Sequence, residues 1–285
     1  MKFVLYPIDL RSDQSLFRFL FDAQMAIILV GPEKKKFVVH QALLCDKSKY
    51  FAKALTGSFE ESKTGTVQLE DVSPILFKIL VNWLYHSKVA YTISDDGSNI
   101  DQDFAGFQHA EKQNELNADD ASTWPKHVLV ELYVLADRFD TKELRRNTID
   151  ALLTAIKQSK TSLERESYMF IGSNTTAESP LWKLAMDRLA YYMRHNIADQ
   201  EFWFDLPHDM AITALLLSSQ RVPRTLCNSC YQKGLSTNGN KLATDHPCKL
   251  KDKKPLMVDM CVYHEHADDE EKKACQASRD KIAEK

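Results

Sequence analysis

The sequence predicts an α+β chain: short strands set among helices, then an all-helical region, then a small tail rich in cysteine and histidine. Three observations lead there. Short apolar or alternating runs occur at Met25–Val30, at residues 37–39 and at Thr66–Leu69. Apolar residues recur at helical spacing in Leu76, Ile79, Leu80 and Trp83, and again in Leu129, Leu132, Tyr133 and Ala136. All the cysteines but Cys45 fall within the last sixty or so residues.

The elements follow in order. MAIILV reads as a buried strand, ended by Gly31-Pro32 and a lysine-rich turn, with 37–39 close enough to be its hairpin partner. Residues 41–55 read as helix, with Ser48 a break or cap inside it, and Thr66–Leu69 as a third strand. Ser73-Pro74 opens the next helix, proline being favoured at the first helical position. Residues 89–93 read as a fourth strand. From 94 to 123 the chain turns acidic, with sparse apolar residues, and suggests a loop carrying a short helix near 107–114. Such a loop is either a solvated insertion or a partner-binding segment. Helices resume at Pro125. Asp140 and Glu143 suggest a capping box for a helix that runs to about Ile156. Ser179-Pro180 opens another, with Leu181, Leu184, Ala185, Leu189 and Tyr192 inward, and residues 200–220 add one or two more, Pro207 marking a start.

Composition bounds the function. A chain of 285 residues, 44% hydrophobic and 27% charged, can bury a core without disulfides, and it is not disordered, collagen-like or a disulfide scaffold. A formal charge of -3 argues against a global nucleic-acid-binding field. There is no Walker loop, dinucleotide fingerprint, GxSxG elbow or HExxH helix, so no catalytic residue is assigned and an enzyme is not expected. The opening MKFVLYPIDLRSD is too short for a signal-peptide core, and the longest apolar runs cannot span a bilayer. An intracellular protein, nuclear or cytoplasmic, with reduced thiols is expected, and the sequon at Asn174 then reads as chance.

The segment VVHQALLCDKSKYFAKALTGSFEES resembles the core of the BTB/POZ family through Val39, His40, Leu43, Leu44, Ser48, Tyr50, Phe51, Leu55, Gly57, Phe59 and Glu61. VQLEDVSPILFKILVNWLYHSKV is similar to the family's next strand, helix and strand, and Asp22 stands where the family has an aspartate. The resemblance covers roughly residues 20–157 and is closest to BTB proteins of filamentous fungi, down to the wording LADRFDTKELR. The basic turn at Lys34, Lys35 and Lys36 and the long acidic 94–123 loop depart from the family pattern. The resemblance implies a BTB/POZ fold, a three-stranded sheet flanked by a helical cluster. It also implies protein partners, homodimerisation and, for many members, docking to the cullin scaffold of a ubiquitin ligase. In such adaptors a hydrophobic residue, any residue, then glutamate forms part of the cullin contact, and Phe59-Glu60-Glu61 matches that pattern. The alternative is an ordinary solvent-facing loop. His40 and Asp22 read as a titrating pair or, more blandly, as groups satisfying the backbone within the fold.

These readings divide the chain into an N-terminal segment (1–19), a BTB/POZ domain (20–157), a helical region (158–220) and a Cys/His-rich tail (221–285). Trp182, Tyr191, Tyr192, Phe202, Trp203 and Phe204 in the helical region fit core packing or a partner groove. The tail carries Cys227-x2-Cys230, His246-x-Cys248, Cys261-x2-His264-x-His266 and Cys275. Structural zinc takes four thiolate or imidazole ligands, often in close pairs. Cys227, Cys230, Cys261 and His264 therefore form a Cys3His candidate, with His246, Cys248, His266 and Cys275 open as replacements or a second site. A metal-free tail and redox chemistry are the alternatives. Lysines 249, 251, 253 and 254 raise nucleic-acid contact, which the nearby acidic residues dilute. Two functional classes follow: a cullin-ligase adaptor, and a nuclear scaffold or transcription-associated factor that combines BTB dimerisation with a zinc-ordered tail.

Overall fold

The computed structural model describes residues 24–91, 100–105, 116–159, 161–192, 200–221 and 260–283. They fall into two compact units that divide between Ser167 and Tyr168.

In the first unit, β1 (Met25–Val30) is the central strand of a sheet ordered β2-β1-β3. It pairs antiparallel with β2 (Lys35–His40), Met25 opposite His40 and Val30 opposite Lys35. It pairs parallel with β3 (Thr66–Leu69), Ile27 opposite Thr66 and Val30 opposite Leu69. The apolar run suits the centre: Ala26, Ile28 and Val30 are fully buried, Ile27 and Leu29 half-buried. The β1–β2 turn needs Gly31, whose φ is 76°, a left-handed value that L side chains adopt at a cost. A Cβ there would also stand 3.0 Å from Cγ of Pro74.

Parallel pairing of β1 and β3 requires a crossover, since a two-residue hairpin cannot return the chain in the same direction. Three helices supply it: α1 (Gln41–Lys47), α2 (Lys49–Thr56) and α3 (Glu60–Thr64). Ser48 divides the first two, as its sequence position suggests. Its backbone is extended, and its hydroxyl accepts from the Phe51 amide, capping α2. After β3, α4 (Pro74–His86) begins with proline at its first turn and buries Leu76, Ile79, Leu80 and Trp83 together with Phe77. Ser73 sits at the N-cap, but its side chain makes no capping hydrogen bond. Phe51 and Phe77 pack around Phe139, with ring centroids 4.9 and 6.4 Å from it. The short α5 (Ile100–Asp103) and a 3-10 turn (Ala121–Thr123) lead to α6 (Lys126–Arg138) and α7 (Lys142–Ser159). The face of Leu129, Leu132, Tyr133 and Ala136 is buried as its spacing predicts.

Three local expectations are corrected. Residues 89–91, the described part of the fourth strand, are not a strand. Val89, Ala90 and Tyr91 are all buried instead of alternating, and the Tyr91 amide donates to the carbonyl of Ala118 in a loop. The capping box at Asp140 does not form. Asp140 has a left-handed backbone (φ 48°) two residues ahead of α7, and its carboxylate faces Lys49 and Arg145. Glu143 turns to Lys47 at 3.1 Å. The 94–123 stretch is not simply solvated: Ile100 and Phe104 are buried, and the Phe104 ring stacks edgewise on Tyr91 and Trp124. The short helix expected near 107–114 lies outside the described residues.

The second unit holds most of α8 (Arg165–Asn174), then α9 (Pro180–Tyr192), α10 (Gln200–Asp205), α11 (His208–Arg221), a 3-10 turn (Met260–Tyr263) and α12 (Asp269–Ala283). Leu181, Leu184, Ala185 and Leu189 bury one face of α9, as expected, and Met210 and Ala214 of α11 are buried too. No described helix is long and apolar enough to cross a membrane.

Candidate functional site

Two places carry the residues that the sequence singles out. The first is the segment around α3. Phe59 stands at the N-cap position of this helix with extended backbone (φ -78°, ψ 165°). Its carbonyl accepts from both the amide and the hydroxyl of Ser62, at 3.2 and 2.7 Å. Gly65 ends the helix in a left-handed conformation, its amide donating to the carbonyl of Glu61 at 2.8 Å. Both ends are thus fixed by local hydrogen bonds, while no residue of the helix is buried. The result presents the Phe59 side chain to solvent, 58% exposed, two residues before a half-exposed Glu61.

Sequence reasoning missed the electrostatic setting of Glu61. Arg138 grips Asp71 with two hydrogen bonds, from Nη1 at 2.6 Å and from Nη2 at 3.0 Å. The Arg138 hydrogen bond holds the Asp71 carboxyl below the usual carboxylate range. Burial pushes the Tyr50 hydroxyl up; the Arg138 charge opposes that shift, and Glu61 and Asp71 add to it. Tyr50, Glu61, Asp71 and Arg138 thus form one electrostatic neighbourhood. Its members are far apart in the chain, and only tertiary folding assembles them.

His40 stands at the N-cap position of α1, where its side chain makes no capping hydrogen bond. Its Nδ1 lies 2.8 Å from the Tyr85 hydroxyl, and its amide donates to the same oxygen at 3.2 Å. Burial pushes the Tyr85 hydroxyl up. Asp22 lies outside the described residues.

The second place is the C-terminal Cys/His group. Cys261, His264, His266 and Cys275 each offer one ligand atom, and these atoms all lie within 4.8 Å of one another. Cys261 and His264 are buried, His266 and Cys275 half-buried. Cys275 Sγ is 3.4 Å from Nδ1 of His264. This is a Cys/His group that could hold a metal ion. It joins Cys261 and His264 with His266 and Cys275, which the sequence leaves open as additions. Cys227, Cys230, His246, Cys248 and the lysines at 249, 251, 253 and 254 lie outside the described residues. Of the aromatic set, Trp182 is buried in the core, while Tyr191, Phe202 and Trp203 are half-buried. The side chains of Tyr192 and Phe204 are outside the described set.

Comparison with known proteins agrees with the fold. A sequence profile of the BTB/POZ domain matches residues 17–108. The chain is similar to Kelch repeat and BTB domain-containing protein 4 of Homo sapiens and of Mus musculus, each 26% identical over 80 residues. The match covers 28% of this chain and 15% of each of those relatives. With the three-stranded sheet, its helical crossover and the buried helices behind it, this chain carries a BTB/POZ domain, a protein–protein interaction module.

Proposed function

We propose that the chain acts as a homodimeric, non-catalytic adaptor that recruits substrates to a cullin-based ubiquitin ligase, in the nucleus or the cytoplasm. The BTB/POZ domain, over residues 20–157, supplies the dimer and the scaffold contact. The helices of 158–220 and the tail of 221–285 select the partner, and a structural zinc ion held by the tail's cysteines and histidines gives that tail its order. One observation carries the adaptor reading. Phe59 is a large aromatic side chain exposed to solvent at the start of α3, two residues before the half-exposed Glu61 carboxylate. Interface energy concentrates in aromatic anchors, and a neighbouring charge orients the approach.

A pull-down of purified cullin with the full chain tests it. Phe59→Ala should lower recovery about 30-fold, the effect of losing an anchor of about 2 kcal/mol. Glu61→Ala should lower it less. Equal recovery with both variants and with the unaltered chain would sink the adaptor reading and leave the fold untouched. Native mass spectrometry of the unaltered chain should show a dimer; a monomer at micromolar concentration would remove the homodimer from the proposal.

A further inference from the structure

The helix α12 has little to hold it. Its sequence, DEEKKACQASRDKIA, is mostly charged or small, and none of its described side chains is buried. An isolated helix of about this length is marginal in water. By contrast, the 3-10 turn before it is firmly seated. Cys261 and Tyr263 are 3% and 2% exposed, and the Tyr263 hydroxyl donates to the carboxylate of Asp187 on α9 at 3.2 Å. Apolar burial anchors the turn and does not anchor the helix.

The Cys/His group bridges these two elements. In a 3-10 turn, side chains three residues apart eclipse, so Cys261 and His264 project to the same side. The turn is closed by the His264 amide donating to the Cys261 carbonyl at 3.2 Å. His266 follows two residues later, its ring edge-on to that of His264. The start of α12 is then set by a cap. The Glu271 amide donates to Asp268 Oδ1 at 2.7 Å, and Glu271 Oε2 accepts from the Ala267 amide at 2.6 Å. This cap fixes the rotation of the helix relative to His266, and with it the direction of Cys275.

The separations suit a metal. Zinc–nitrogen bonds of about 2.0 Å and zinc–sulfur bonds of about 2.3 Å put tetrahedral ligand atoms roughly 3.3–3.8 Å apart. The Cys275–His264 edge, 3.4 Å, already has that length, and the others require a closure of no more than about 1.5 Å from their 4.8 Å limit. Two thiolates neutralise the charge of a dication, so the complex can sit half-buried without an unpaired charge. Tetrahedral S2N2 donors favour zinc over harder cations.

We infer that Cys261, His264, His266 and Cys275 form one complete Cys2His2 zinc site, and that the zinc ion clamps α12 to the 3-10 turn. This rests on reading the tail as zinc-binding and goes further: four ligands close the coordination sphere, so Cys227 and Cys230 are not ligands of this site.

The test uses the full chain loaded with zinc alone, read by metal analysis, native mass spectrometry and hydrogen exchange. Cys275→Ser should lower bound zinc by one equivalent per chain and abolish exchange protection over residues 269–283. Cys275→His should restore both, since imidazole replaces thiolate as a ligand. Cys227→Ser/Cys230→Ser should leave zinc-dependent protection of 269–283 at its full level. Zinc retained in full by Cys275→Ser, or protection of 269–283 lost in the Cys227→Ser/Cys230→Ser variant, overturns the assignment while the tail remains zinc-binding. No zinc in the unaltered chain overturns both.

Discussion

The Ser48 hydroxyl joins two segments that are distant in sequence. It accepts from the Phe51 amide at 3.2 Å and donates to the Phe139 carbonyl at 2.6 Å, all of it buried. Ser48→Ala removes the cap and leaves a buried carbonyl unpaired, so it should cost about 2 kcal/mol in urea unfolding. Lys126 makes a sharper case. It is 1% exposed, and its ammonium donates to Glu164 at 2.8 Å and to Thr161 at 3.0 Å. Glu164→Ala strands that buried charge and should cost about 3–5 kcal/mol, whereas Lys126→Met should be close to neutral. Asp71 and Arg138 are exposed, so their pair contributes only about 0.5 kcal/mol. The sign of its pH dependence follows from the lowered carboxyl. The contribution is complete above the unfolded carboxylate pKa of about 4 and is lost as the pH falls through the lower folded value. Asp71→Asn should therefore destabilise at pH 7, and the difference should vanish in strong acid. A difference that persists there would mean that the pair is not electrostatic.

Among the helices, the approach of α8 and α11 depends on the absence of a side chain. A Cβ on Gly172 would lie 2.6 Å from Pro207 Cγ and 2.7 Å from Met210 Sδ. Although alanine is the better helix former, Gly172→Ala should destabilise by about 1–3 kcal/mol through overpacking, measured by thermal or urea unfolding. A stabilising result would show that Pro207 gives way. This is also the scale at which the sequence was most readable. The β1 and β3 runs, the Ser48 break, the proline starts at Pro74 and Pro180 and the inward face of α6 all depend on local chemistry. The errors have the opposite character. Residues 89–91 look like a strand because they are apolar, but Tyr91 is packed on Phe104, which the acidic 94–123 stretch contributes. Asp140 looks like a cap because of its spacing, but Lys49 and Arg145 compete for its carboxylate.

For the molecule as a whole, apolar burial holds both compact units except at the end of the second. Aromatic and aliphatic burial around Phe51, Phe77 and Phe139 accounts for the first. The end of the second has little apolar surface to bury. Under the proposed zinc assignment, chelation should raise hydrogen exchange across 269–283 and leave the β1 amides at Met25–Val30 as protected as before. Equal loss in both regions would argue against a locally acting metal.

The sequence by itself determined most of the strands and helices, the BTB/POZ fold and the chemical type of each candidate ligand. Periodicity, turn residues and side-chain donors are properties of short stretches of chain. Only the tertiary structure decided which ligands meet and which charges surround Glu61. It brought His266 and Cys275 to Cys261 and His264, and it set Tyr50, Asp71 and Arg138 in one electrostatic neighbourhood with Glu61. Those choices depend on distances between residues remote in sequence, and packing fixes such distances where spacing along the chain does not.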